Sequence, residues 1–256
     1  MKIHTLLSVM AMMALVSSCK KSDPSRAASE GGEQDRFPRQ LERADDSRAE
    51  TAKPSGTERE RHREFSTHLD AARHSFDAHD IPATLEELDK ASSINGSHCE
   101  VHNLRGSCYV EQREFDKALE EFRKAEALSK ANPSIQFNIA EVLFVTKRWS
   151  EALEALDKVS GQLPAESVEL SHLVNLKILL CHSALGNDEQ VEAMAEKSGI
   201  TDDSPYFYFA KAARFHIDHQ PTIAESWLNS AREKFPDPKV LAPWFDTFVE
   251  YGWIMR

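Results

Sequence analysis

"CEVHNLRGSCYVEQREFDKALEEFRKAEALSKANP", residues 99–133, decides how the chain folds. Apolar and small residues recur every three to four places on both sides of a polar break at Gln112–Glu114, which is the spacing that lines one face of a helix. The stretch predicts two amphipathic helices joined by a short turn. Its distinctive residues are Gly106, Tyr109, Phe115, Ala118, Phe122 and Ala125, and a shift of 34 residues in either direction finds the pattern again. Upstream it falls on Ala72, Ile81, Leu88, Ala91 and Ile94; downstream on Ala140, Leu143, Trp149, Ala152, Leu156 and Val159. Near the end of the chain it is carried by Ala212, Phe215, Ala224, Leu228, Ala231 and Pro236. Self-similarity at this period marks units that cannot bury an apolar face alone and must stack on their neighbours.

The pattern resembles the tetratricopeptide repeat, with a small residue at position 8, an aromatic at 11, large residues at 17 and 24, alanine at 20 and 27, and proline at 32. Small residues at 8 and 20 let the two helices of a repeat approach each other, and alanine at 27 admits the next repeat. The resemblance implies an all-α fold: a right-handed superhelix of about four to five helical hairpins, closed by a C-terminal capping helix. Repeats are expected near 65–98, 99–132, 133–166 and 205–236, and the last helix at 238–256. Residues 168–199 read as a degenerate copy, because the spacing is about five residues too long and Ser198 stands at an alanine position. A helical hairpin inserted in the array is the alternative. His102 and Arg105 also occupy positions that are usually apolar in this family.

Such a superhelix presents a concave groove lined mainly by the first helix of each hairpin. The groove positions of the family (2, 5, 9, 12 and 13) fall on Leu69, Arg73 and Phe76 in the first repeat and on Asn103, Ser107, Val110 and Glu111 in the second. They fall on Phe137, Glu141, Phe144 and Val145 in the third, and on Tyr206, Phe209 and His216 in the last. The mixture suits a peptide or protein segment with apolar anchors. The clamp with which some family members grip a peptide carboxylate is not expected, since only Asn138 fits it and Arg73, Ser107 and Glu141 replace its asparagines.

Two aromatic faces stand out in "VLAPWFDTFVEYGWIMR", residues 240–256: Trp244, Phe248 and Tyr251 on one, Phe245, Val249 and Trp253 on the other. A helix that closes a solenoid is expected to be polar outside. Trp244, Phe245, Phe248 and Trp253 are therefore expected to form an interface, with a partner or with a second copy, unless a bend at Gly252 buries both faces.

The start of the chain, "MKIHTLLSVMAMMALVSSC", places one lysine before an apolar run from Leu6 to Val16 and then small residues. That is the layout of a secretory signal, and the run is too short to span a bilayer. Val16, Ser17, Ser18 and Cys19 resemble the lipobox of bacterial lipoproteins. The resemblance implies a signal peptide over 1–18, cleavage after Ser18 and lipidation of Cys19, which anchors the protein to a membrane. Lys20 follows the cysteine instead of the aspartate associated with inner-membrane retention, so the expected location is the outer membrane of a cell envelope, facing the periplasm.

Residues 19–64 form the next unit. From 20 to 64 the only large apolar side chains are Phe37 and Leu41, and eleven basic residues balance eleven acidic ones. Such a segment cannot bury enough surface to offset the entropy of ordering. It reads as a tether of root-mean-square span about 35–40 Å. The folded unit, 65–256, carries 31 acidic against 19 basic residues, out of a whole-chain net charge of −11. No basic stripe exists to displace phosphate counterions, so nucleic acid is not an expected partner. "RERHR" at 59–63 reads as the solvated start of the first helix.

Catalytic and ligand signatures are missing: no glycine-rich phosphate loop, no HExxH, no paired CxxC and no nucleophile elbow occurs. His98, Cys99 and His102 are the nearest approach to a metal set, with no fourth ligand evident. His216 and His219 read as surface or loop residues. Cys99, Cys108 and Cys181 read as free buried thiols and not as a disulfide framework, since Cys99 and Cys108 would lie on opposite faces of one helix. Neither a metal nor a cofactor is expected. The expected function is that of a lipid-anchored scaffold binding a protein or peptide, with a periplasmic enzyme or metal-binding protein as the alternative.

Overall fold

The computed structural model describes residues 56–129, 132–197 and 204–254. These residues form eleven helices and no strand: α1 Gly56–Asp77, α2 Ile81–Ile94, α3 Cys99–Glu111, α4 Phe115–Leu128, α5 Pro133–Val145, α6 Trp149–Ser160, α7 Val168–Ala184, α8 Asp188–Lys197, α9 Pro205–Ile217, α10 Pro221–Lys234 and α11 Pro238–Tyr251. The fold is an all-α superhelix of repeats, in which α1/α2, α3/α4, α5/α6, α7/α8 and α9/α10 pair as hairpins. α1 begins at Gly56, ahead of the domain start expected at 65, and its first nine residues are exposed. Glutamate and arginine are good helix formers, so the charged run extends the helix without contributing to the core.

Local chemistry starts and stops these helices. Asp80, Asn132 and Asp237 accept from the backbone N–H of Ala83, Ser134 and Lys239, each at 3.0 Å, and so cap α2, α5 and α11. Proline stands in the first turn of α2, α5, α9, α10 and α11, where its missing N–H costs nothing.

The five hairpin turns share one geometry. His79, Arg113, Lys147, Gly186 and His219 all have left-handed φ, between 57° and 72°. In each turn the following N–H reaches back five residues, as in Asp80 to Ser75 at 2.9 Å, Glu114 to Tyr109 at 2.8 Å and Asn187 to His182 at 2.9 Å. This double closure takes up the last carbonyls of the first helix. The α7/α8 hairpin uses it too, with glycine at the left-handed position.

Within a hairpin the helices touch through residues of complementary size. A Cβ on Gly106 would lie 2.6 Å from Phe122 Cε1, so glycine is what allows a phenylalanine at position 24 of that repeat. Elsewhere the same two positions hold Ala72 and Leu88, Ala140 and Leu156, and Ala212 and Leu228, all buried. In α7/α8 the order is reversed: Leu179 stands at position 8 and Ala195 at position 24, both fully buried. His102 and Arg105 are accommodated by polar partners, His102 by a hydrogen bond with Glu121 at 2.7 Å and Arg105 by an ion pair with Asp89 at 2.8 Å.

The core runs from α3 to α11 as one cluster, beside a smaller one centred on α1, α2 and the outward side of α3. Cys108 and Cys181 are free and buried. Cys99, at the first turn of α3, is buried as well.

Candidate functional site: the concave face and its C-terminal helix

The first helix of each hairpin (α1, α3, α5, α7 and α9) contributes to one concave face. Its N-terminal part is joined by polar links between successive helices. Arg73 of α1 donates through Nε to Glu100 of α3 at 2.7 Å and also pairs with Asp70. Asn138 of α5 donates to Asn103 Oδ1 of α3 at 2.9 Å. Arg73, Phe76, Asn103 and Glu111 are half-buried here, whereas Leu69, Ser107 and Val110 are buried by neighbouring helices.

The C-terminal part of the face is not an open groove. After α10 the chain turns at Phe235–Asp237, and α11 packs across α5, α7 and α9. Phe209, expected to line a free groove, instead meets Trp244, Phe245 and Phe248 at ring separations of 5.7, 5.0 and 5.2 Å. Tyr251 lies 6.4 Å from Phe144 and 5.2 Å from Trp149, and its hydroxyl donates to Ser183 Oγ at 3.2 Å. Phe137, Glu141, Phe144, Tyr206 and Phe209 are all buried, while Val145 and His216 are half-buried. An aromatic helix face laid on an aromatic groove removes both from water, which the groove positions read alone did not anticipate.

The same packing corrects the expectation of an exposed aromatic interface. Gly252 has φ 101°, a left-handed conformation that glycine adopts freely, and it ends α11. The chain then folds back, and Trp253 rests against His216 at 4.4 Å, Tyr251 at 4.7 Å and Phe248 at 5.2 Å. Trp244 and Phe248 are buried, and Phe245 is covered on one side by the Arg232 guanidinium 4.8 Å from its ring. His216 is thus part of this packing and not a free surface residue; His219 is an exposed turn residue.

A charged triad lies beneath α11. Lys177 of α7 is fully buried, with Nζ 2.8 Å from Glu250 of α11, 3.1 Å from Glu141 of α5 and 4.4 Å from the centre of the Phe144 ring. Burial alone would lower the Lys177 pKa, but the two carboxylates raise it, so the ammonium is retained. Burial pushes the Glu141 carboxyl up to about 7, against the pull of Lys177. Two carboxylates thus face one ammonium.

A second polar device is repeated. His68 and Glu87 meet at 2.7 Å in the first hairpin, as His102 and Glu121 do 34 residues on, and Lys90 and Lys124 pair with the respective glutamates. The third hairpin has Gln136 and Ala155 at these positions, and a cleft of about 190 Å³ opens there between α4, α5 and α6. His102 is committed to Glu121 and to the Gly96 carbonyl at 3.1 Å, and His98 rests tilted against Phe65 with ring centres 4.8 Å apart, so these residues do not converge on a metal. Among the described residues no group of three or more His, Cys, Asp or Glu could hold a metal ion, and no helix is long and apolar enough to cross a membrane. Cys19 and the apolar run before it lie outside the described residues.

Five stacked hairpins, the first three spaced by 34 residues, around a concave face define a superhelical repeat protein. Residues 109–174 match the family model described as "Tetratricopeptide repeat", and solved tetratricopeptide proteins share the fold of the chain. The MamA protein has a TM-score of 0.54 at 13% identity, covering 76% of this chain and 99% of that one. YrrB, described as "a TPR protein with an unusual peptide-binding site", has a TM-score of 0.53 at 14% identity, covering 70% and 89%. PilF of Pseudomonas aeruginosa has a TM-score of 0.52 at 16% identity, covering 75% and 96%. At such identities the likeness is one of fold. In sequence, the signal recognition particle subunit SRP72 of Dictyostelium discoideum is 29% identical over 94 residues, which is 37% of this chain and 13% of that protein. The tetratricopeptide fold is that of a scaffold for protein–protein interaction.

Proposed function

We propose that this protein is a lipid-anchored adaptor of a bacterial cell envelope, one that holds a protein or peptide partner on its concave face during envelope, secretion or pilus assembly. The observation that carries the binding part is the continuous face of α1, α3, α5, α7 and α9, over which α11 is already laid as a helix would be in recognition of a partner. Val16, Ser17, Ser18 and Cys19 support the anchor, Lys20 supports the outer membrane, and the polar composition of residues 20–64 supports a tether that keeps the folded unit clear of the bilayer. A peptide-binding site in YrrB, a protein of the same fold, agrees with the use proposed for the face.

Crosslinking in intact cells tests the reading. The wild type is compared with an Arg73→Glu/Phe76→Ala variant, both substitutions lying in the half-buried N-terminal part of the face, and copurifying proteins are identified. A partner lost from a variant that still folds supports the groove; identical partners in both would move the contact elsewhere. The anchor is tested separately with Cys19→Ala, and retention of that variant in the membrane fraction without detergent would refute it.

A further inference from the structure

α11 is joined to the repeat array only by the three residues Phe235–Asp237, and its main contacts are not with α10 before it. It sits on α5, α7 and α9 as a separate helix would, with one aromatic face down and one carboxylate, Glu250, aimed at a fully buried lysine. A groove that holds its own helix in this manner has a stated preference: aromatic side chains one and two turns apart for the Phe209 and Phe144 end points, and a negative charge for Lys177.

Removal of α11 would ordinarily be prohibitive, because a buried ammonium left without its carboxylate is strongly destabilising. Here Lys177 keeps a second partner. Glu141 belongs to α5, stays in place when α11 leaves, and has an Oε1 with no hydrogen bond in the closed arrangement. The base of the groove therefore holds its own counter-ion for the open state.

We propose that the face of α5, α7 and α9 is a receptor for an amphipathic helix of a partner protein, carrying aromatic residues in the pattern of Trp244, Phe245, Phe248 and Tyr251 and a carboxylate at the place of Glu250, and that this helix exchanges with α11. The proposal rests on the groove reading of the function and specifies what the C-terminal part of the groove selects. α11 is the resident occupant, and a partner gains access by competing with it. Competition lowers the apparent affinity by the fraction of molecules that are open, so weakening α11 must strengthen the partner.

The test uses the full chain and a fluorescent peptide of residues 237–254, read by anisotropy. A chain carrying Trp244→Ala/Phe248→Ala, which leaves the residues of α5, α7 and α9 untouched, is expected to bind the peptide at least about tenfold more tightly than the wild type. A peptide with Glu250→Gln is expected to bind that chain at least about tenfold more weakly. Should the double variant lose its helical circular dichroism, a chain with Glu250→Gln replaces it, with the same direction expected. Hydrogen exchange supplies a second readout: added peptide should speed exchange in α11 of the wild type while α5 and α7 stay protected. Equal binding by wild type and variant, binding by neither, unchanged exchange in α11, or a variant that takes up no peptide and instead sediments as a dimer would each overturn the proposal. A cellular partner that depends on Arg73 and Phe76 but ignores every change in α11 would overturn it as well, and would leave the proposed function standing.

Discussion

Gly106 and Phe122 allow the packing rule of the hairpins to be measured. A methyl group on Gly106 would meet Phe122 Cε1, Cδ1 and Cζ at 2.6, 2.7 and 3.0 Å, all shorter than ordinary van der Waals contact. The ring is fully buried and cannot swing into solvent. Forcing a methyl into such a contact costs about 1–3 kcal/mol, and three close atoms against an immobile ring place this case in the upper half. Alanine in place of glycine inside a helix returns about 1 kcal/mol. Gly106→Ala should therefore be destabilising by about 1–2 kcal/mol, in spite of the better helix former. Phe122→Leu alone should cost about 1–2 kcal/mol through the space it leaves. Combined, the two recreate the alanine–leucine pair found at Ala72 and Leu88, Ala140 and Leu156, and Ala212 and Leu228. The double variant should then lie within about 1 kcal/mol of the wild type, a coupling of about 2–4 kcal/mol in the favourable direction. Urea unfolding of the four proteins gives the cycle. A Gly106→Ala protein more stable than wild type, or single effects that add to within about 0.5 kcal/mol, would refute the close approach.

Other regions yield outcomes of the same kind. Lys177→Met leaves Glu141 and Glu250 as buried carboxylates without a cation and should cost about 3–5 kcal/mol by urea unfolding at neutral pH, and less in acid, where the carboxyls take up protons. Glu87 and Glu121 are held below the usual carboxylate range, Glu87 by Lys90 and His68, and Glu121 by Lys124 and His102 although its burial acts the other way. The stability they contribute is present above the unfolded value of 4.5 and lost as pH falls through the lower folded one, so Glu121→Gln should flatten the acid limb of a stability–pH curve. His216, by contrast, is lowered by burial and by His219, so its packing on Trp253 is at full strength above 6.5 and weakens as pH falls below it. Trp253 emission should shift on acidification below that pH, and the shift should vanish in His216→Phe. Burial pushes the Cys108 and Cys181 thiols up to about 12, so both should resist an exposed-thiol reagent in the native protein and react on unfolding.

The repeat was legible because its period is set by residues that must be small or large whatever surrounds them. Gly106, Ala118 and Ala125 are small because a neighbouring helix lies against each, and a close approach leaves the same mark in every copy. The left-handed turn residues were not legible, since His79, Arg113, Lys147 and His219 share no chemistry; the hairpin closure imposes the conformation on whatever residue falls there. The groove positions were placed on the correct helices, but their accessibility was misjudged. Exposure depends on what a later segment does, and the aromatic faces of residues 240–256 fit an intramolecular docking as well as an external one. Gly252 decided between them, because its left-handed φ turns Trp253 back onto His216.

One signal of the covered groove was present in the sequence. The first helix of a terminal hairpin with an open concave side needs a single apolar stripe, and α1 has one, in which Phe65, Leu69 and Ala72 are its buried residues at intervals of four and three. α5 reads "SIQFNIAEVLF" over 134–144, and every one of those residues is buried; α7 reads "LVNLKILLC" over 173–181, and all but Asn175 are buried. A helix that is apolar all round is covered all round. Neighbouring hairpins cover the outer sides of α5 and α7, so the residues that remain apolar at their groove positions require a further element, and α11 is that element. The reversed sizes at Leu179 and Ala195, both fully buried, make the fourth hairpin a poor match to the repeat. α7 packs against α6, α8, α9 and α11. Lys177, the one cation in that apolar run, sits where α11 brings Glu250, so the residue that breaks the hydrophobic pattern marks the place where the last helix docks.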